Sequence, residues 1–151
     1  MTRPFETART PAIFGTVEIK LPESLWRALD ASARREGKTV DEAVAFLVDA
    51  LPMLSRQDIS ELKEPPKEKL NRICTLDIGS SRKISVERLG SENACSYSAL
   101  IRRALHAFLI TRDIAIINCQ LQLTQMHFNF ADNYERDKSD FSASRQHWEA
   151  L

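Results

Sequence analysis

The chain has 151 residues, 43% apolar, with 21 basic against 21 acidic side chains and only 4 glycines. That length suits one domain or two very small ones, and so few glycines argue against a turn-rich all-β protein, leaving a mainly helical one as the expectation. A formal net charge of zero gives no whole-molecule support for nucleic-acid binding, so any basic footprint has to be local.

Residues 1–15 hold Pro4, Pro11 and Gly15 without a clear period. They read as a flexible arm carrying Arg3 and Arg9. The next segment, 16–51, opens with TVEIKL, in which Val17, Ile19 and Leu21 alternate with Thr16, Glu18 and Lys20. That alternation predicts a strand with one apolar face. Pro22 ends it and suits an early helical position. Leu25, Leu29 and Ala33 then recur at helical spacing until Gly37, a left-handed stop. Thr39 with Glu42 three residues on makes a capping box. The helix it opens carries Val40, Ala43, Val44, Leu47, Val48 and Leu51 on one stripe.

Residues 52–71 contain Pro52, Pro65 and Pro66 among alternating charges and read as a linker, with room for a helical turn around 53–62. The segment 72–109 then repeats the first pattern. Cys74, Leu76 and Ile78 alternate with Thr75 and Asp77; RKISVERLGSENA reads as a short helix ending near Gly90; SYSALIRRALHAFL is a strongly amphipathic helix with Ser96 as N-cap. The two segments superpose without a gap at an offset of 57 residues, so that Leu21 falls on Ile78, Thr39 on Ser96 and Val48 on Leu105. Leu25 falls on Arg82 and Gly37 on Ala94, where the pattern weakens. By segment the charge is about +1, −2, 0, +3 and −2, so 72–109 is the one clearly positive stretch. Residues 110–151 form a C-terminal extension. Ile114, Ile117, Leu121, Met126 and Phe128 suit a continuing helix over 110–130, although CQLQLTQMHFNF also alternates like a strand.

The strand, short helix, turn and amphipathic helix of VEIKLPESLWRALDASARREGKTVDEAVAFLVDAL resemble the ribbon-helix-helix superfamily of Arc- and MetJ-type repressors. CTLDIGSSRKISVERLGSENACSYSALIRRALHAFL resembles it more loosely. The resemblance implies a mainly helical fold with a two-stranded antiparallel ribbon. Because one chain carries both halves, it implies an intramolecular pseudo-dimer bound to duplex DNA at an asymmetric site. Base reading from the major groove would fall to Thr16, Glu18, Lys20, Thr75 and Asp77 on the ribbon's outward face. Phosphates would be met by the second-helix N-termini at Thr39–Val40 and Ser96–Tyr97, with Lys38, and by the cluster Arg72, Arg82 and Lys83. Glu18 and Asp77 depart from the family pattern, since acids repel phosphate. Internal pairing to Lys20 or a nearby arginine is their alternative use. The implied role is a non-enzymatic repressor or an accessory factor in plasmid DNA transfer, with affinity falling steeply with salt. The alternative is an antitoxin or interaction module whose residues 110–151 bind a protein.

No catalytic constellation, cofactor loop or metal-ligand spacing stands out; His106, His127 and His147 are far apart. Cys74, Cys95 and Cys119 form no CxxC and suggest neither a disulfide framework nor a zinc site. No run is apolar enough to span a bilayer, and a cytoplasmic protein is the expectation.

Overall fold

The structure is a computed structural model that describes residues 15–66, 69–70 and 72–128. Arg3, Arg9 and His147 lie outside the described residues. The chain divides into two units, Met1–Gln120 and Leu121–Leu151, and the first holds the sheet and the helices around it.

Strand β1 spans Thr16–Leu21 and buries alternate residues, as its sequence predicts. Val17, Ile19 and Leu21 are fully buried. Pro22 closes the strand, and its carbonyl accepts from Trp26 N–H at 3.0 Å to begin α1, Glu23–Arg35. Leu25, Leu29 and Ala33 form the buried stripe of α1. Gly37, at φ +66°, turns the chain out of the helix. Its N–H donates to Arg34 O at 3.1 Å and Lys38 N–H donates to Ala33 O at 2.9 Å. This pair of bonds satisfies carbonyls the helix end would otherwise orphan. Helix α2, Val40–Ala50, opens on the Thr39–Glu42 capping box with both reciprocal bonds made. The linker region holds a 3₁₀ turn at Leu51–Met53 and α3, Arg56–Glu61, capped by Ser55. The helical turn foreseen over 53–62 is α3, and the 3₁₀ turn precedes it. Pro52 confines the chain to the tight turn before Ser55 starts again.

Strand β2, Arg72–Asp77, pairs antiparallel with β1. Helix α4 spans Ser80–Glu92 and helix α5 spans Tyr97–Leu109, with the Ser96 hydroxyl accepting from Ala99 N–H. Helices α1 and α4 start and end 57 residues apart, and α2 and α5 also start 57 apart. The turn after α4 repeats the turn after α1. Ala94 takes φ +55° where the segment 16–51 has Gly37, and Cys95 N–H donates to Gly90 O at 2.9 Å.

Helix α4 ends near Gly90, at Glu92, but Gly90 is not itself its last residue. The helix runs past it, and a Cβ there would sit 2.7 Å from Cys95 O. Its role is to let the helix pack closely under the following turn. Nor does α5 continue unbroken. Residues 110–113 interrupt it, with Arg112 at φ +55°. Residues 114–128 then form a further helix, α6. Asp113 Oδ1 accepts from Ala115 N–H at 2.9 Å at its start. The alternation in CQLQLTQMHF builds no strand among these residues.

The core lies between the ribbon's inner face and the helices. Helix α5 packs on β1 and α1, and α2 packs on β2, α4 and α5. Val44, Leu47, Val48, Leu100, Ile101, Ala104 and Leu105 meet there, all buried. Each buried Leu or Ile contributes about 1.5–3 kcal/mol relative to an exposed one. Much of that burial is against the other segment of the chain.

Candidate nucleic-acid interface

The register pairs Thr16 with Asp77, Glu18 with Thr75 and Lys20 with Ile73. Side chains alternate along a strand, so these three rows form the outward face. Val17–Leu76 and Ile19–Cys74 point to the core. Glu18, Lys20, Ile73, Thr75 and Asp77 are exposed and Thr16 is half-buried. Ile73 is 58% exposed, on the side of the sheet where apolar residues gain nothing by folding. Lys20 and Glu18 make no ion pair among the described residues. Asp77 turns back to accept from Gly79 N–H at 3.1 Å. Among the described residues, the internal pairing of the two acids with Lys20 or an arginine is not formed.

Each edge of the ribbon is held by the N-terminal turn of a second helix. Along β1, Glu18 N–H donates to Tyr97 Oη at 3.4 Å and Lys20 N–H to Ser98 Oγ at 3.3 Å. Along β2, Asp77 N–H donates to Asp41 Oδ2 at 2.8 Å. Lys20 and Asp77 are equivalent at the 57-residue offset, and so are Ser98 and Asp41. The same backbone donor is therefore satisfied by the same helix position on both sides. These contacts cover edge groups that would otherwise invite a further strand.

The residues expected to meet phosphates are dispersed in their engagements. Thr39 and Ser96 are exposed caps, with Val40 and Tyr97 half-buried behind them. Lys38 lies over the Phe46 ring, 4.5 Å from its centroid, and pairs with Glu36 at 3.7 Å. Arg72 stacks on Trp26 at 4.8 Å and reaches Glu23 at 3.5 Å. This puts it on the helix side of the ribbon, across from Leu21. Arg82 forks onto Asp49, with Nε to Oδ1 at 2.8 Å and Nη2 to Oδ2 at 3.0 Å. The bond to Asp49 raises the Arg82 pKa further. These contacts line a concavity of about 490 Å³ formed by Asp49, Ile78, Gly79, Ser80, Ser81 and Arg82. Lys83 is half-buried on the first turn of α4.

One cluster has no counterpart in the sequence reading. Arg102 forks onto Glu64 of the linker, with Nε to Oε2 at 2.8 Å and Nη2 to Oε1 at 2.9 Å. Arg103 Nε adds a bond to Oε1 at 3.1 Å, while Arg102 Nη1 donates to Lys20 O at 3.1 Å. The Arg102 hydrogen bonds hold the Glu64 carboxyl below the usual carboxylate range. The contact joins residues 38 apart, and nothing local in the sequence signals it.

Among the described residues no group of His, Cys, Asp or Glu is arranged to hold a metal ion. No described helix is long and apolar enough to cross a membrane. Comparison of the chain with known protein families, curated protein sequences and solved structures gave no match.

Proposed function

We propose that the chain is a non-enzymatic duplex-DNA-binding protein of ribbon-helix-helix type, in which the segments 16–51 and 72–109 act as the halves of an intramolecular pseudo-dimer. The observation that carries this reading is the ribbon itself. Its outward face is exposed, and an N-terminal helix turn flanks each edge. A two-stranded ribbon matches the width of the major groove. The helix N-termini beside it would offer N–H groups and a positive dipole end to the phosphate walls.

On this reading Lys20 donates to guanine O6 and N7, and Thr16 and Thr75 bond to base edges or touch a thymine methyl. Glu18 and Asp77 accept from cytosine N4. The six outward residues differ between the strands, so the preferred site is asymmetric. A repressor or an accessory factor at a mobile-element site fits such a protein. Lys38, Arg72 and Arg82 must each leave an internal partner before they can neutralise a phosphate. That lowers the number of phosphates engaged, and log affinity should fall by about 0.9 per phosphate with log salt.

The test is an anisotropy titration against duplexes selected from a random pool at low salt. Lys20→Met should weaken the selected site about ten- to hundredfold with the fold intact. Uniform weak signal over all duplexes, unmoved by Lys20→Met, would refute the reading.

A second reading, a protein-interaction module, is favoured by one feature of α6. Leu121, Met126 and Phe128 are 62%, 57% and 72% exposed. Ile116 and Cys119 on the same helix are buried, so point substitution tests it more cleanly than truncation. Leu121→Ser with Met126→Ser should then abolish co-purification of a partner and leave DNA binding unchanged.

A further inference from the structure

A ribbon lying in the major groove turns its two edges toward the phosphate walls, and the two edges of this ribbon differ. Beside β2 stand Asp41 and Glu42, in the acidic first turn of α2. Beside β1, one turn along α5 from Ser98, stand Arg102 and Arg103. At the 57-residue offset their equivalents on α2 are Ala45 and Phe46, neither of them charged. The arginine pair belongs to one wall only.

The pair is also built for an oxyanion. Two guanidiniums converge on the one carboxylate of Glu64, and Arg102 presents two parallel N–H groups to its two oxygens at 2.8 and 2.9 Å. The same fork accepts two phosphate oxygens, bidentate geometry that Arg offers and Lys does not. Arg102 Nη1 is meanwhile anchored on Lys20 O at the ribbon edge. Its position beside the Lys20 row is thus fixed whichever anion is bound. The Arg102 side chain is only 11% exposed, while Glu64 is 42% exposed. The arginine is covered and the acid that covers it faces solvent.

We propose that Arg102 and Arg103 form a binding site for a DNA backbone phosphate, and that Glu64 of the linker fills it in the DNA-free protein. The inference rests on the DNA-binding reading and adds to it a site and a competitor. Engagement exchanges one oxyanion for another, so the arginines are never left unpaired. Glu64 sets a threshold that only a well-placed phosphate overcomes, one fixed by the base contacts of Lys20 next to it. The linker thereby favours specific over non-specific DNA.

The experiment compares the full chain with Glu64→Gln, Glu64→Ser and the control Glu61→Gln by anisotropy on the selected duplex and on an unrelated one, across a salt series. Circular dichroism confirms the fold of each variant. Both Glu64 variants should tighten binding at least fivefold, more for the unrelated duplex than for the selected one. On the unrelated duplex the salt slope should steepen by about 0.9–1.8, the increment for one or two further phosphates. Glu61→Gln, which removes the same charge from a nearby exposed site, should change affinity less than twofold. Adding Arg102→Gln and Arg103→Gln to Glu64→Gln should cancel the gain. If the wild-type chain binds DNA and the Glu64 variants match Glu61→Gln, the inference falls and the DNA-binding reading stands. A gain that survives loss of both arginines also overturns the site. If neither wild type nor variant binds any duplex, the DNA-binding reading fails and takes this site with it.

Discussion

The sharpest test of the internal repeat is a pair of opposite substitutions. Gly37 and Ala94 occupy the same turn, at φ +66° and +55°. A non-glycine residue in the left-handed region costs about 1–2 kcal/mol. Replacing glycine by alanine returns about 0.4–1 kcal/mol by restricting the unfolded chain. The difference predicts that Ala94→Gly stabilises by about 1 kcal/mol and that Gly37→Ala destabilises by about the same. A Cβ at Gly37 would meet nothing within 4 Å, so its cost is conformational, with no clash added. For a domain of this size each change should move Tm by about 3–5 °C, in opposite directions. Thermal and urea unfolding followed at 222 nm would measure both, with m unchanged. A destabilising Ala94→Gly would refute the reasoning, because it would mean that the backbone there is not left-handed.

Further expectations follow from the two faces of the sheet and its edges. Ile101→Ala, at a fully buried position, should cost about 2–5 kcal/mol, whereas Ile73→Ala on the outward face should stay within about 0.5 kcal/mol by urea unfolding. Asp41→Ala should speed amide hydrogen exchange at Asp77 and leave Lys20, capped by Ser98, unchanged; the loss of that edge bond should cost about 1 kcal/mol. For Glu64 the folded pKa lies below the unfolded one, so the stabilisation of the docked linker is complete above the ordinary value of about 4.3 and is lost as pH falls through the depressed value. An NMR pH titration should show the Lys63 and Glu64 amides moving only at that acidic step, and Glu64→Gln should abolish it.

The parts of the fold set by local periodicity were legible in the residues. Alternation located both strands, and the stripes Leu25–Leu29–Ala33 and Leu100–Ile101–Ala104–Leu105 gave their helices the right buried faces. The 57-residue offset carried over to the helix boundaries because both repeated segments use the same capping positions, Thr39 and Ser96. Legibility failed where a residue's role depends on a distant partner. Arg82, in a leucine's place, looks like a weakening of the pattern until Asp49 is seen beside it. Gly90 lies near the end of α4, and only the return of the chain at Cys95 shows it to be a packing position. Lys38, Arg72 and Arg102 are similar as letters. Phe46, Trp26 and Glu64 decide what each of them does.

The pairing of β1 with β2 inside one chain has a consequence for dilution. Two separate strand-helix-helix chains would meet by collision, and their assembly would weaken as the protein became scarce. On the pseudo-dimer reading proposed above, the linker of about 20 residues keeps the halves at an effective concentration near the millimolar range. Ribbon formation is then a first-order event, equally complete at a handful of copies per cell and in a concentrated solution.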